Sequence, residues 1–348
     1  MHLDPTQIQT VLVVKLRAIG DVLLSTIVTK NLRTAFPHAR IDFLTERPSR
    51  DILAGNRFID EIIVFERSPL NGITILLEIR RRNYDLVIDL FGNPRSALMT
   101  LASGAMHRVG YAFRMRRFAY NILVEPRGNT VHNTEFNLDA LRALGIEISD
   151  RSIYFPLDLD SESFAERFLV KNPLNGQMLV ALNAAGGWYT KRWRLEQYAA
   201  LGDQIIEKFN AKVILIWGPG EYQDVEKLKS SMKHETVIPP ATSLKELGAL
   251  LKKCAFLVTN DSAPMHIAAA VGTPVVAIFG PTSPKLQGPC GAHHVIVRSE
   301  RLDCLECNLT KCPIGNICMT ELSVDEVMTG VERLLTKIRQ TNLTDLRV

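Results

Sequence analysis

The 348-residue sequence contains no run of about 18 uninterrupted apolar residues, which excludes an ordinary membrane-spanning helix. Its first ten residues, MHLDPTQIQT, are polar and lack the apolar centre of a signal peptide, so a cytoplasmic location is expected. In that compartment the six cysteines should be mostly reduced, and the N-x-T sequons at Asn308 and Asn342 are read as accidental. An excess of one charge is missing as well. The 41 basic and 37 acidic residues leave a formal net charge of +4, too small for a dedicated nucleic-acid binder.

A further absence raises a chemical question. Residues 11–26, VLVVKLRAIGDVLLST, read as a strand, a tight turn and the start of a helix. A nucleotide-binding fold would carry G-x-G-x-x-G at this point. Gly20 stands there alone, with a carboxylate, Asp21, directly after it. An anion is a poor neighbour for a phosphate. Asp21 is therefore either a helix cap or a carboxylate with chemistry to do.

What is present is an ordinary globular composition, 46% apolar and 22% charged, at a length that suggests two domains. Apolar runs at 11–16, 39–45, 60–65, 84–91 and 108–113 alternate with helical patterns at 21–35, 49–55, 72–83, 94–103 and 134–144. The second half repeats the scheme, with strands at 178–185, 211–218, 255–260 and 274–280. Its helices fall at 194–209, 221–232, 243–253 and 262–271. This alternation predicts two doubly wound Rossmann-like α/β domains with parallel sheets, facing each other across an interdomain cleft. The expected division is 1–160 and 161–348, with the polar, proline-bounded stretch 156–176 as the joint. A capping box at Ser323 and Glu326 opens a last amphipathic helix, expected over about 324–341 and expected to return to the first domain.

Three strand-to-helix turns in the second half carry phosphate-loop chemistry. In VTNDSAPMHIAAAVGTPVVAIFGPTSP (258–284), a strand ends at Asn260-Asp261 and a helix opens at Ser262-Ala263-Pro264. Small residues there let an anion reach the free N–H groups, and His266 can add a donor. The strand at 274–280 runs out into Gly280, Pro281 and Thr282. In NAAGGWYTKRW (183–193), Gly187 precedes Thr190, Lys191 and Arg192, cations suited to a diphosphate. The third turn, WGPGEYQ (217–223), offers Gly218. The bland readings are a plain cap at Asp261, a surface histidine at His266 and a solvated basic turn.

Together these pieces, with VKLRAIGDVLLSTIVTKNLR (14–33), resemble glycosyltransferase family 9, the ADP-heptose:lipopolysaccharide heptosyltransferases, over essentially the whole chain. The resemblance implies a GT-B fold, an inverting mechanism, an ADP-heptose donor and a lipopolysaccharide-precursor acceptor. It also implies cytoplasmic work, with peripheral contact at the inner membrane and no nucleic-acid partner. It places the catalytic base at Asp21, donor-phosphate contact at Lys191, the donor sugar at Asp261 and the diphosphate at the helix start with His266. No cofactor is implied for the chemistry. The base and the donor cradle are expected from opposite domains, which closure would bring together. Sugar-nucleotide epimerisation, or transfer from another activated sugar, is the alternative reading.

Arg80–Arg82 and the set Arg108, Arg114, Arg116 and Arg117 are basic clusters. The second is interleaved with Tyr111, Phe113 and Phe118 and, with Gly20, is the expected acceptor side, suited to anionic groups. Four cysteines, Cys304, Cys307, Cys312 and Cys318, fall within 15 positions. Their spacing leaves a structural metal, packed thiols and disulfides all open.

Overall fold

In the computed structural model, which describes residues 4–345, the chain divides into Met1–Pro156 and Leu157–Val348, four residues before the expected joint at 160. Among the described residues each unit holds one all-parallel sheet. The first unit runs β1 (Thr10–Val14), α1 (Ile19–Ala35), β2 (Arg40–Glu46), α2 (Arg50–Leu53), β3 (Glu61–Phe65) and α3 (Pro69–Arg81). It continues through β4 (Leu86–Asp89), α4 (Pro94–Ser103), β5 (His107–Tyr111), β6 (Ile122–Val124) and α5 (Asn133–Ala143). The strand order is β3-β2-β1-β4-β5-β6, so the direction of winding reverses between β1 and β4. Val11–Val14 of β1 and Leu86–Ile88 of β4 are apolar and fully buried, as a sheet covered on two faces requires. The ends of strands at such a reversal are where doubly wound sheets bind ligands.

The second unit runs α6 (Leu159–Lys171), β7 (Met178–Asn183), α7 (Leu195–Phe209), β8 (Ala211–Leu215), α8 (Tyr222–Ser231), α9 (Leu244–Lys252) and β9 (Phe256–Asn260). After these come α10 (Ala263–Ala270), β10 (Val275–Ile278), α11 (Pro284–Gln287), β11 (His294–Val297), α12 (Ile317–Thr320) and α13 (Val324–Asp345). Its strand order is β11-β10-β9-β7-β8.

At three points the structure goes beyond the sequence reading. The stretch expected as a joint holds a helix, α6. Asp158 caps it, accepting from the Ser161 N–H at 2.8 Å, and Ser161, Ala165 and Phe168 recur on the buried face that packs on α9. The last helix, expected to return to the first domain, has its described packing within the second unit. α13 packs on β10, β11 and α7, because Val327, Val331 and Leu334 complete the core over that edge of the second sheet. The strands β6 and β11 had no counterpart in the sequence reading, being only three and four residues long.

Candidate active site

In the first unit, β1 ends at Val14 and four residues lead to α1. The helix begins two residues earlier than predicted, so Asp21 lies inside the first turn and Ala18 takes the cap position. Asp21 is therefore the third residue of the helix, reaching back to the backbone of the cap residue. Its one hydrogen bond among the described residues is accepted from the Ala18 N–H at 3.3 Å, and the side chain is only half-buried. Gly20 is not among the glycines with positive φ, so no special backbone conformation explains it. What it leaves is a side-chain-free position beside the carboxylate.

Lys15 was given no role from the sequence, although a lysine closing an apolar strand was the available signal. Its Nζ donates to the Leu90 carbonyl at 3.0 Å and lies 5.9 Å from the centre of the Phe91 ring. Burial pushes the ammonium down, while the nearby charges of Asp21 and Asp89 push it back up. Asp89 ends β4 fully buried, accepting from the Phe91 and Gly92 N–H groups, each at 2.9 Å, and from the Tyr120 hydroxyl at 2.7 Å. Burial raises its carboxyl, and these bonds oppose the rise. A lysine thus stands with two carboxylates at the winding reversal.

The arginines of the expected acceptor side divide. Arg108 is a brace, donating to Ala119 O at 3.0 Å and Ala105 O at 2.6 Å, so the acceptor role expected of it is not supported by its geometry. Arg116 lies over the Phe113 ring, 5.0 Å from its centre. Arg114 and Arg117 are exposed beside exposed Met115 and Phe118.

In the second unit, β9 delivers Asp261 into a tight cluster. Lys191 Nζ meets Asp261 Oδ2 at 2.6 Å, and the Thr282 hydroxyl donates to the same oxygen at 2.7 Å. The Lys191 ammonium also lies 4.7 Å above the Trp188 ring. Asp261 is therefore not a plain cap. Ser262 takes the cap position of α10 but caps no N–H with its side chain; its Oγ accepts from Asn183 Nδ2 at 2.9 Å instead. In the first turn Pro264 carries no N–H and the Met265 N–H donates to Ser262 O at 3.1 Å, which leaves the Ala263 N–H for an anion. His266 is buried in α10, not a surface histidine.

Several residues predicted to touch the donor bond to the protein's own loops. Asn260 donates to Ala184 O and Ala185 O at 2.9 and 3.0 Å and accepts from Trp193 N and Tyr198 OH, both at 3.1 Å. Its polar valences are filled by protein. The buried Thr190 hydroxyl donates to Leu309 O at 2.8 Å. Arg192 turns to Gly186 O at 2.7 Å and to Asp224 at 3.4 Å. Gly218 donates its N–H to Glu221 at 2.8 Å, whereas Gly187 faces open space. Gly280 is needed for packing: a Cβ there would lie 2.7 Å from Met319 Sδ and 2.8 Å from Cys318 Sγ.

The cysteine-rich segment is joined to this cradle. Glu306 N–H donates to Gly280 O at 3.1 Å, Asn308 N–H to Pro281 O at 2.7 Å, and the Trp193 indole to Leu322 O at 2.9 Å. The four cysteines are thiols, so the disulfide reading is not what the structure shows. Among the described residues no three His, Cys, Asp or Glu side chains form a metal-holding group. The Cys318 thiol is pushed up to about 11, by burial first and then by Cys304, Cys307 and Cys312 nearby.

Against known proteins, the sequence model of glycosyltransferase family 9 (heptosyltransferase) matches residues 74–318, more than half of the chain. The chain belongs to glycosyltransferase family 9. It is accordingly a glycosyltransferase, and the two sheets are those of a GT-B fold. Among its family 9 relatives, lipopolysaccharide heptosyltransferase 1 of Campylobacter coli is 27% identical over 297 residues, 78% of this chain and 83% of the relative. A solved family 9 glycosyl transferase from Veillonella parvula aligns with a TM-score of 0.83 at 24% identity, over 94% of this chain and 97% of its own. The ADP-heptose lipopolysaccharide heptosyltransferase II of E. coli aligns at 0.78 and 21%, over 95% and 100%. In this family 9 chain the profile match begins within α3, so the Asp21 loop lies before it.

Proposed function

We propose that this glycosyltransferase moves L-glycero-D-manno-heptose from ADP-heptose to the inner core of lipopolysaccharide, with inversion at the anomeric carbon. Family membership and the names of its relatives support the substrates. The observation that carries the chemistry is the Lys191–Asp261–Thr282 cluster next to the uncapped start of α10.

In the proposed step the acceptor hydroxyl gives its proton to the Asp21 carboxylate. Its oxygen bonds to the anomeric carbon, and the bond from that carbon to the diphosphate breaks. The electron pair leaves with ADP. Negative charge gathers on the departing diphosphate, where the Lys191 ammonium and the Ala263 N–H at the start of α10 oppose it. General-base help of this kind is worth roughly 10²–10⁴-fold. Asp261 keeps Lys191 oriented and has a further carboxylate oxygen for sugar hydroxyls. Arg114 and Arg117 hold anionic groups of the acceptor.

The step as proposed runs on side chains and backbone donors, and the cysteine segment is a brace for the donor loops. Metal analysis of protein purified without chelator decides whether that brace holds an ion: stoichiometric metal supports it, and a sub-stoichiometric result for every metal rejects it. Among the described residues no helix is long and apolar enough to cross a membrane, and the proposed contact with the inner membrane is peripheral.

The reading is tested by crossing a donor panel with truncated lipopolysaccharide acceptors. ADP release with ADP-heptose only, and only when a heptose-accepting core is present, is the expected result. Turnover confined to another nucleotide sugar, or epimerisation without acceptor, overturns it.

A further inference from the structure

One face of the first unit takes no part in the reaction as proposed. α3 and α4 pack side by side, and both keep large apolar side chains in water. On α3, Ile75 and Ile79 fill the core, while Ile73 and Leu77 point out, 61% and 59% exposed. On α4, Leu98 and Leu101 are 52% and 40% exposed. Between the helices runs a groove of about 460 Å³ whose floor includes Phe65, Leu76 and Met99. Single exposed apolar residues are ordinary; a contiguous set around an apolar groove marks a docking surface.

The charges around the groove decide what docks. Arg95 lies over the Phe65 ring, 5.3 Å from its centre, and Arg67 stands at the groove held by Glu46 at 2.8 Å. The Arg80–Arg82 run splits. Arg82 turns inward to Glu61, Glu78 and Asp42, while Arg80 and Arg81 are exposed in the last turn of α3. Among the described residues of α3 and α4, none of the fully exposed ones is a carboxylate. A second copy of this chain would set arginine against arginine. An anionic bilayer supplies what the face lacks: phosphates for the guanidinium rim and acyl chains for the apolar stripe.

We infer that the α3–α4 face is the surface by which this glycosyltransferase seats on an anionic membrane, a placement that rests on the proposed acceptor being lipid-borne. The test is co-sedimentation of the full chain with vesicles of phosphatidylglycerol and phosphatidylethanolamine, against vesicles of phosphatidylcholine alone. Wild type is expected on the anionic vesicles, with binding falling as salt rises. The Arg81→Gln, Arg95→Gln pair should weaken binding about 25-fold, near five-fold for each arginine. The Ile73→Asp, Leu98→Asp pair should abolish it, while keeping transfer to a water-soluble truncated acceptor. Val170→Asp, a still more exposed apolar position on α6, is the control and should bind as wild type does.

Equal vesicle binding by wild type and both pairs overturns the inference, as does absence of wild-type binding at low salt. A dimer in sedimentation velocity that Ile73→Asp, Leu98→Asp dissolves assigns the face to a second copy and overturns it too. Vesicle binding lost in both pairs, with no acceptor glycosylated by wild type, would instead defeat the proposed function and leave the surface standing.

Discussion

At the scale of single residues, the Lys191–Asp261 pair carries both architecture and chemistry. Lys191 and Asp261 are 14% and 5% exposed, so neither charge is well solvated without the other. Lys191→Met should cost about 3–5 kcal/mol of stability by stranding a buried carboxylate. Lys191→Met with Asp261→Asn should recover most of that in denaturant unfolding, since no buried charge is left uncompensated. Donor affinity, measured by calorimetry with ADP, should stay lost in both. Recovery of affinity along with stability would make Lys191 merely structural. Sequence reasoning singled out both residues, though not their pairing, because each sits in a short, distinctive turn. It could not separate them from Asn260 and Thr190 in the same turns, whose polar atoms face the protein. That distinction depends on side-chain direction across contacts 62 to 119 residues apart, which no local pattern encodes.

At the scale of elements, two joints define how the units hold their helices. Lys30 of α1 pairs with Asp150, and Asn31 accepts from Ser149 N–H at 3.0 Å and donates to Asp150 O at 2.8 Å. Burial opposes ionisation of Asp150, yet bonds from Lys30 and Ser152 prevail and hold its carboxyl at about 2, below the ordinary 3.8. A depressed carboxyl adds stability that is full above 3.8 and is lost as pH falls toward 2. With solvent screening this amounts to about 1 kcal/mol. Lys30→Met should remove most of it, lying about 1 kcal/mol below wild type in unfolding free energy at pH 5 and converging on wild type toward pH 2; a variant profile equal to wild type at both would show that the pair does not act.

The second joint is α13. At Gly330 a Cβ would overlap Val297 Cγ2 of β11, so Gly330→Ala should destabilise by about 1–3 kcal/mol through overpacking, read from the urea midpoint. A gain in stability, the usual effect of alanine in a helix, would contradict the close packing. The central strands and the amphipathic helices were legible because their periods persist for several turns or a whole buried run. α6 was hidden by the prolines at its two flanks, and β6 and β11 by their length. The destination of α13 was illegible for another reason: an apolar stripe states that a helix packs, not on what.

At the scale of the whole molecule, the account divides the labour by unit, with the donor in the second and the base in the first. Hydrogen exchange reports this directly. ADP should slow the amides of Lys191–Trp193 and of the first turn of α10, which lie at the donor cradle, and leave Arg17–Gly20 unchanged. Protection confined to the first unit would reverse the assignment. The segment from Cys304 to Leu322 should gain protection with the cradle, since its backbone is bonded to Gly280, Pro281 and Thr190.

The central claim is that Asp21 takes the acceptor proton. It is tested most directly by steady-state transfer from ADP-heptose to a lipopolysaccharide core acceptor with Asp21→Asn. The substitution keeps size and the first turn of α1, so folding and ADP affinity should match wild type. The account predicts a fall in kcat of at least about 100-fold. Turnover within a few-fold of wild type would contradict it and return Asp21 to a residue of the helix terminus.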